Sequence, residues 1–320
     1  MPWPPCAAWA EHFTMSNVLP VGSTVVVEVP ATSANLGPGF DCFGLAFDWR
    51  ERIELEVIQR GFQVEVTGEG AAELARDESH LIIRSALTGL ADLGVRAPGL
   101  RLSCRNTIPH GRGLGSSSAA TVAGLTAAAG LAGHLKRSED QNRADPAWLL
   151  RHANAIEGHP DNVAAAIYGG FVLAYEGHQG VTVAQASVHP TIQAAVYIAA
   201  QPVGTHAARR LLPLQVPHVD AAADAGRAAL LVHAMASDPT KLFEGTRDWL
   251  HQQYRSSAMP RSYELVTALR GEGLAAFISG AGPSVAVLGT TADLDQLDGR
   301  PFSGFQLRRV GVGTAASVLT

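Results

Sequence analysis

The 320-residue chain is poor in cysteine, lysine and long apolar runs, and each shortage excludes a class of protein. Its three cysteines, Cys6, Cys42 and Cys104, lie far apart without C-x-x-C spacing, which argues against a disulfide framework and a zinc cage and indicates a reducing cytoplasm. The net charge of -5 provides no basic field for nucleic acid, so any anion has to be bound locally. No apolar run approaches the roughly 20 residues that a membrane span requires.

The chain has enough apolar residues for one large or two medium domains with buried cores, since 47% of it is hydrophobic. Its first twenty residues carry neither the positively charged segment nor the sustained apolar run of a signal peptide. We predict that residues 1–20 are a disordered extension, with Met15 as an alternative start of the protein.

Apolar residues recur with a period of two, typical of half-buried strands, at residues 24–29, 52–58 and 62–68. Within residues 79–94 the apolar residues recur with helical spacing, and this pattern ends at Gly94, which predicts an amphipathic helix.

Strands and helices keep alternating along the rest of the chain. The predicted elements are a strand at 100–104, helices at 116–134, 146–158, 160–170 and 262–273, three mostly helical segments between 205 and 254, a hairpin-like segment at 274–289 and a last strand at 305–313. This alternation predicts an α+β protein of two packed domains, at residues 21–180 and 181–320.

Residues 111–121, "GRGLGSSSAAT", join a strand to the start of a helix through a loop of glycines. The unpaired N–H groups of a helix's first turn and its dipole favour anions, and Gly113 and Gly115 let the backbone approach a ligand closely. The pattern therefore predicts a phosphate-binding loop.

Other interpretations of this loop stay open. It has no lysine for a Walker A loop, and its glycines do not match the dinucleotide-binding fingerprint. "GSSSA" is one residue away from the nucleophile elbow of serine hydrolases, which would make Ser117 a nucleophile. A serine-capped helix with close packing would have the same composition.

"IPHGRGLGSSSAA" resembles the phosphate loop of the GHMP superfamily, which comprises galactokinase, homoserine kinase, mevalonate kinase and phosphomevalonate kinase. Residues 29–48 and 278–288 resemble that superfamily's other motifs. Residues 29–48, together with residues 157–170, "EGHPDNVAAAIYGG", narrow the resemblance to its homoserine kinase branch. The resemblance implies an ATP-binding N-terminal domain of the ribosomal protein S5 domain 2-like type, with a β-α-β crossover, and a ferredoxin-like C-terminal domain.

The activity implied by the resemblance is transfer of the γ-phosphoryl group of ATP to the side-chain hydroxyl of L-homoserine, a step of threonine synthesis, with Mg²⁺ bound. Relatives also imply a cytoplasmic protein and a homodimer. The alternatives are another small-molecule kinase of the superfamily, such as a mevalonate or diphosphocytidyl-methylerythritol kinase, a serine hydrolase, or an inactive ATP-binding module.

The resemblance also implies the residues that hold ATP and the metal ion. Mg²⁺ prefers hard oxygen ligands, which by resemblance are Ser117 and Glu157. In place of the family's usual asparagine on the adenine side, this chain has His80. The implied ATP-binding residues are Pro109, His110, Gly111, Arg112, Gly113, Leu114, Gly115, Ser116, Ser117, Ser118 and Ala119.

The implied acceptor site combines two motifs. Asn35 and Asp41 lie at the ends of a Gly-Pro-Gly turn, and Asp41 suits a substrate ammonium. His159 and Asn162 begin a helix that would close over the substrate. Because the homoserine kinase pattern has asparagine where several relatives carry an aspartate, we predict no strong side-chain base.

Arginine binds a free amino-acid carboxylate bidentately. By resemblance the positions that bind this group are Thr205, Arg209 and Arg255, and Gly280 lies in a second glycine loop that flanks the site.

Overall fold

The computed structural model describes residues 17–137, 142–178, 180–204 and 208–319. Most of the predicted extension, residues 1–16, lies outside the described residues. The last four residues of the predicted extension, 17–20, are described. The backbone N–H of Leu19 donates to the carbonyl of Arg96 at 2.8 Å, so this segment joins the folded part of the chain.

The larger sheet contains nine strands in the described ranges, and most come from the first half of the chain. Their main order is β3-β4-β2-β1-β13-β6-β5, with β7 paired to β2 and β8 paired to β7. The strands are β1 (Thr24–Asn35), β2 (Gly39–Val57), β3 (Gly61–Gly68), β4 (Gly99–Asn106), β5 (Leu135–Arg137), β6 (Asn142–Ala144), β7 (Phe171–Gly177), β8 (Gly180–Ala186) and β13 (Ser317–Leu319).

In the part of the chain that the structure describes, four helices cover this sheet: α1 (Leu81–Asp92), α2 (Ser116–Leu131), α3 (Pro146–Glu157) and α4 (Asp161–Tyr168). β3 and β4 pair in parallel with α1 between them, which is the expected β-α-β crossover. Most of α2 is buried, because its alanines and glycines allow close contact with α1 and β1. The predicted strands and helices of this part are confirmed.

A smaller antiparallel sheet has the order β10-β11-β9-β12. Its strands are β9 (Gln193–Ala199), β10 (Ala275–Ile278), β11 (Val285–Gly289) and β12 (Phe305–Val310). The helices of this part are α5 (His218–Ala236), α6 (Leu242–Gly245), α7 (Gln252–Arg255), α8 (Pro260–Gly271) and α9 (Thr291–Asp295). The predicted hairpin is β10 and β11, which pair antiparallel.

The third predicted helical segment, residues 239–254, is divided between short helices. Its break falls where the Asp248 carboxylate accepts the backbone N–H groups of Leu250, His251 and Gln252, at 2.7 to 3.2 Å. This side chain competes with the helical hydrogen bonds, as Asp and Asn often do.

The larger sheet also takes in residues beyond the predicted division at 180 and 181. β8 extends this sheet to Ala186, and β13 returns from the end of the chain to pair with β1. The division of the chain into 21–180 and 181–320 stays a prediction. In the described part of the chain, no helix has the length and apolar character to cross a membrane.

Candidate active site

The glycine-serine loop forms a backbone cradle at the start of α2. Gly111, Gly113 and Gly115 all have positive φ angles, of 65°, 70° and 68°. A methyl group at Gly115 would overlap the Thr32 hydroxyl, and one at Gly113 would overlap the carbonyl of Ser279. Only glycine allows the backbone to come this close to its neighbours, so the loop packs tightly between β1 and the second glycine loop.

The first turn of α2 keeps its N–H groups available. The N-cap is Gly115, and no side chain caps the helix, so a serine-capped helix is not what the structure contains. Uncapped N–H groups at the positive end of a helix dipole attract an anion.

This cradle opens into a cavity of about 760 Å³. The cavity is lined by the glycine-serine loop, by the end of α3 and the start of α4, and by residues from both halves of the chain. Of the predicted site residues, those that line it are Asn35, Asp41, His110, Gly111, Arg112, Gly113, Leu114, Gly115, Ser116, Ser117, Ser118, Glu157, His159, Asn162, Arg209, Arg255 and Gly280.

A cluster of oxygen atoms surrounds Glu157 at the end of α3. The hydroxyl groups of Ser117 and Thr121 each donate to Glu157 Oε1 at 2.8 Å, and Ser118 donates to Oε2 at 3.4 Å. The two residues predicted as Mg²⁺ ligands are therefore neighbours, and the atoms are the hard oxygen donors that this ion prefers.

His110 has a defined tautomer beside the loop. Its Nε2 accepts from the Asn106 amide at 3.1 Å, so Nδ1 carries the hydrogen and donates to Ser116 Oγ at 2.8 Å. Burial lowers the pKa of His110, which favours this neutral form. The Ser116 hydroxyl hydrogen is left available to the cavity.

At the acceptor end, Asn35 connects the two glycine-rich turns. Its Nδ2 donates to the carbonyl of Gly280 at 2.9 Å, and its Oδ1 accepts the backbone N–H of Asp41 at 2.9 Å. Asn35 and Asp41 have positive φ angles of 67° and 54°, a conformation that Asn and Asp tolerate better than most residues. Both Asp41 oxygens accept from Arg209, at 2.6 and 2.8 Å.

Arg255 is 2% exposed and lies over the ring of Phe40, with 5.2 Å between its guanidinium carbon and the ring centre. Arg209 contacts the same ring at 5.5 Å. Arg255 Nη1 donates to His251 Nδ1 at 3.3 Å, and its Nε has no partner among the described residues. Desolvation lowers the pKa of Arg255, and the nearby Arg209 adds to the effect.

His159 and Asn162 flank the start of α4. His159 Nδ1 lies 3.4 Å from Asp161 Oδ1, and this contact raises the pKa of His159. Asp161 is 3% exposed and also accepts the backbone N–H of Asn162 at 2.7 Å.

The opposite end of the cavity contains His80 and Glu51. His80 caps α1, because its Nδ1 accepts the N–H of Ile82, while its buried Nε2 has no partner in the described ranges. Glu51 is 4% exposed and accepts the backbone N–H groups of Thr107 and Ile108. Burial raises the pKa of Glu51 from its ordinary 4.5 to about 7.

Two predicted residues do not line this cavity, and a third cannot be assigned to it. Thr205 lies outside the described residues, Ala119 is buried in α2, and Pro109 lines a neighbouring cavity. Sequence reasoning assigned no role to Glu51, Asn106, Thr121 or Asp161. Only Asp161 had a visible signal, since it lies inside "GHPDN".

Comparison with known proteins places these features in one family. The models of the GHMP kinase N-terminal and C-terminal domains match residues 80–170 and 221–297. A homoserine kinase of Streptomyces coelicolor is 46% identical over 91% of this chain and 92% of its own length. One of Corynebacterium urealyticum is 45% identical over 86% of this chain and 90% of its own.

Comparison of the fold with solved structures indicates the same family. The crystal structure of a homoserine kinase from Cytophaga hutchinsonii has a TM-score of 0.78 and 27% identity, covering 96% of this chain and 99% of that one. The two-domain fold with a glycine-loop cavity is that of the GHMP kinases. The chain belongs to this family, in its homoserine kinase branch.

Proposed function

We propose that the protein is a homoserine kinase, which transfers the γ-phosphoryl group of ATP to the side-chain hydroxyl of L-homoserine. The observation that carries this function is a single cavity with an anion cradle on one side and a carboxylate and two arginines on the other. The homoserine kinases that match over most of the chain support the same substrate.

The cradle of Gly113, Gly115 and the first turn of α2 would bind the triphosphate. Phosphoryl transfer depends chiefly on positioning and on stabilising the negative charge that spreads over the transferred group. Backbone N–H groups, the Ser116 hydroxyl and the helix dipole supply this stabilisation without reorganising.

Ser117 and Glu157 would hold Mg²⁺, with Thr121 beside them. Their converging oxygens suit this ion, which usually keeps several waters and needs few protein ligands. When bound, the ion would neutralise charge on the phosphate oxygens.

Asp41 would bind the ammonium group of homoserine, and Arg209 and Arg255 its carboxylate. The acceptor hydroxyl would then lie near Asn162 and His159, between the arginines and the phosphate loop. Asn162 has no basic group, and the Asp161 carboxylate favours the protonated form of His159, which has no free lone pair to accept a proton. The hydroxyl proton would leave late, to a phosphate oxygen or solvent.

The adenine would lie at the end of the cavity that contains His80. The unpartnered Nε2 of this histidine offers a hydrogen-bond donor there. We further place the protein in the cytoplasm, in keeping with the free thiols of Cys42 and Cys104, and propose a homodimer on the basis of relatives alone.

The geometry disfavours the serine hydrolase. Because His110 Nδ1 donates to Ser116, this histidine cannot take the proton of that hydroxyl. Ser117 donates to a carboxylate shared with Thr121, so it has no imidazole base either.

A coupled ADP-release assay with homoserine, threonine, mevalonate and galactose tests the function. Homoserine should be the best substrate, and turnover of mevalonate without homoserine would overturn the assignment. Arg255→Ala should raise the KM for homoserine about 10- to 100-fold, as expected for the loss of a charge-assisted hydrogen bond, and change the KM for ATP much less. The exposed arginine of α8 provides the control, Arg261→Ala.

A further inference from the structure

The side-chain amide of Asn162 is held at both of its ends. The Thr32 hydroxyl donates to Asn162 Oδ1 at 2.8 Å, and Asn162 Nδ2 donates to Asp161 Oδ1 at 3.3 Å. An ionised carboxylate only accepts hydrogen bonds, so the end of the amide that faces Asp161 has to be the nitrogen. The Thr32 hydroxyl therefore meets the oxygen and gives the amide a second contact, which fixes the position of a group whose orientation Asp161 already selects.

Thr32 also contacts the phosphate loop directly. Its backbone N–H donates to the carbonyl of Leu114 at 3.1 Å, and its hydroxyl occupies the space where a side chain at Gly115 would lie. Thr32 is fully buried in β1 and does not line the cavity. It cannot touch a substrate, so any effect on catalysis has to pass through its neighbours.

We propose that Thr32 is a positioning residue that fixes the Asn162 amide in register with the phosphate loop. Asn162 Nδ2 has two hydrogens and donates one to Asp161, which leaves the other for the cavity. Without the Thr32 contact, the amide would keep only its hydrogen bond to Asp161 and would be free to move away from the phosphate loop. This proposal depends on the proposed function in one respect, namely that the Asn162 amide faces the hydroxyl group of homoserine.

The size of the effect follows from geometry. A displacement of about 1 Å in a reacting group can cost about 100-fold in rate, because transfer needs the nucleophile in line with the phosphorus. We expect Thr32→Val, which keeps the branched shape and removes the hydroxyl, to lower kcat about 10- to 100-fold. The KM for ATP should stay within about threefold, because the glycine cradle does not need the hydroxyl.

Two further variants separate positioning from stability. Thr32→Ser keeps the hydroxyl and should restore kcat to within about threefold of the unmodified protein. Thr126 is also a buried threonine of this domain, but its hydroxyl has no partner among the described residues. Thr126→Val should therefore leave kcat unchanged.

A spectroscopic measurement makes the test independent of turnover. The side-chain NH₂ signals of Asn162 in a ¹⁵N correlation spectrum, assigned with Asn162→Asp, should move in Thr32→Val and not in Thr32→Ser or Thr126→Val. If Thr32→Val does not fold, Thr32→Ala takes its place.

Wild-type kcat together with an unmoved Asn162 signal in the hydroxyl-free variant would overturn the proposal. Loss of kcat that Thr32→Ser fails to restore would overturn it as well. If the unmodified protein does not phosphorylate homoserine, the proposed function fails, and the Asn162 signal still decides the role of Thr32.

Discussion

Arg209 and Asp41 form a bidentate ion pair, with both guanidinium Nη atoms donating to the two carboxylate oxygens at 2.8 and 2.6 Å. These residues are predicted to bind opposite charges of one amino acid, yet in the structure they bind each other. Their side chains are 41% and 33% exposed, so water screens the pair and separating it is inexpensive. We therefore expect homoserine to replace or extend this contact at low cost.

Arg209→Ala should raise the KM for homoserine about 10-fold or more and change the free energy of unfolding by no more than about 1 kcal/mol. Steady-state kinetics and urea denaturation measure the two effects. Arg300 forms a similar exposed bidentate pair with Glu272, at 2.7 and 2.9 Å, far from the cavity. Arg300→Ala should leave the KM unchanged, and an equal rise in both variants would contradict a binding role for Arg209.

Gly115→Ala should weaken ATP binding about 10-fold or more, because the new methyl group overlaps Thr32 and displaces the loop. Gly133 also has a positive φ angle, of 74°, but has no atom near its missing side chain. Gly133→Ala thus carries only the backbone cost of about 1–2 kcal/mol. Titration with a fluorescent ATP analogue and thermal unfolding compare the variants. Equal ATP affinity in both would show that the loop does not bind the triphosphate.

Glu157→Gln should lower kcat about 100-fold and raise the Mg²⁺ concentration needed for half-maximal activity, since it removes the charge that attracts the cation. An ADP-release assay over a range of Mg²⁺ concentrations measures both quantities. Glu176, exposed on β7, provides the control Glu176→Gln. Full activity of Glu157→Gln at low Mg²⁺ would exclude this residue as a ligand.

Glu51→Gln should make the protein more stable at high pH. The folded state binds the Glu51 proton up to a pKa of about 7, whereas the unfolded state releases it near 4.5, so wild-type stability falls as the pH rises between these values. Glutamine imitates the protonated acid at every pH. The variant should equal the wild type at about pH 4.5 and exceed it by about 3 kcal/mol at pH 8.

Denaturation of both proteins at several pH values measures this difference. Burial also raises the pKa of Asp224, to about 6, but this contribution is common to both proteins and cancels. The control is Glu54→Gln, on the exposed face of the same strand. A difference between Glu51→Gln and wild type that does not vary with pH would contradict the raised pKa.

The elements with strong local patterns were predictable. Strands β1 to β3 alternate apolar and polar residues, and the apolar residues of α1 have helical spacing. The structure confirms the three strands and the helix. The break before α7 was missed, because it depends on the Asp248 carboxylate turning back onto three backbone N–H groups. Composition alone does not indicate which hydrogen bond a side chain of this kind will choose.

In the site, motif residues were predictable and their supports were not. The glycine loop, Glu157 and Asn162 belong to motifs that can be recognised by eye. Glu51 lies outside the motifs, and Thr32 lies inside residues 29–48 without an assigned role. The roles proposed for them come from their contacts with Ile108 and Gly115, which only the fold brings close. The roles assigned to these residues remain predictions for the experiments above.

Local sequence by itself predicted a loop of glycines before α2 that lets the backbone approach an anion at the start of the helix. Such preferences act over a few neighbouring residues, so they survive without the rest of the fold. Which side chains meet was decided by the folded chain, as when Asn35 reaches Gly280 across 245 positions. Contacts of that range form only when two sheets and their helices close around shared cores, and no short segment contains that information.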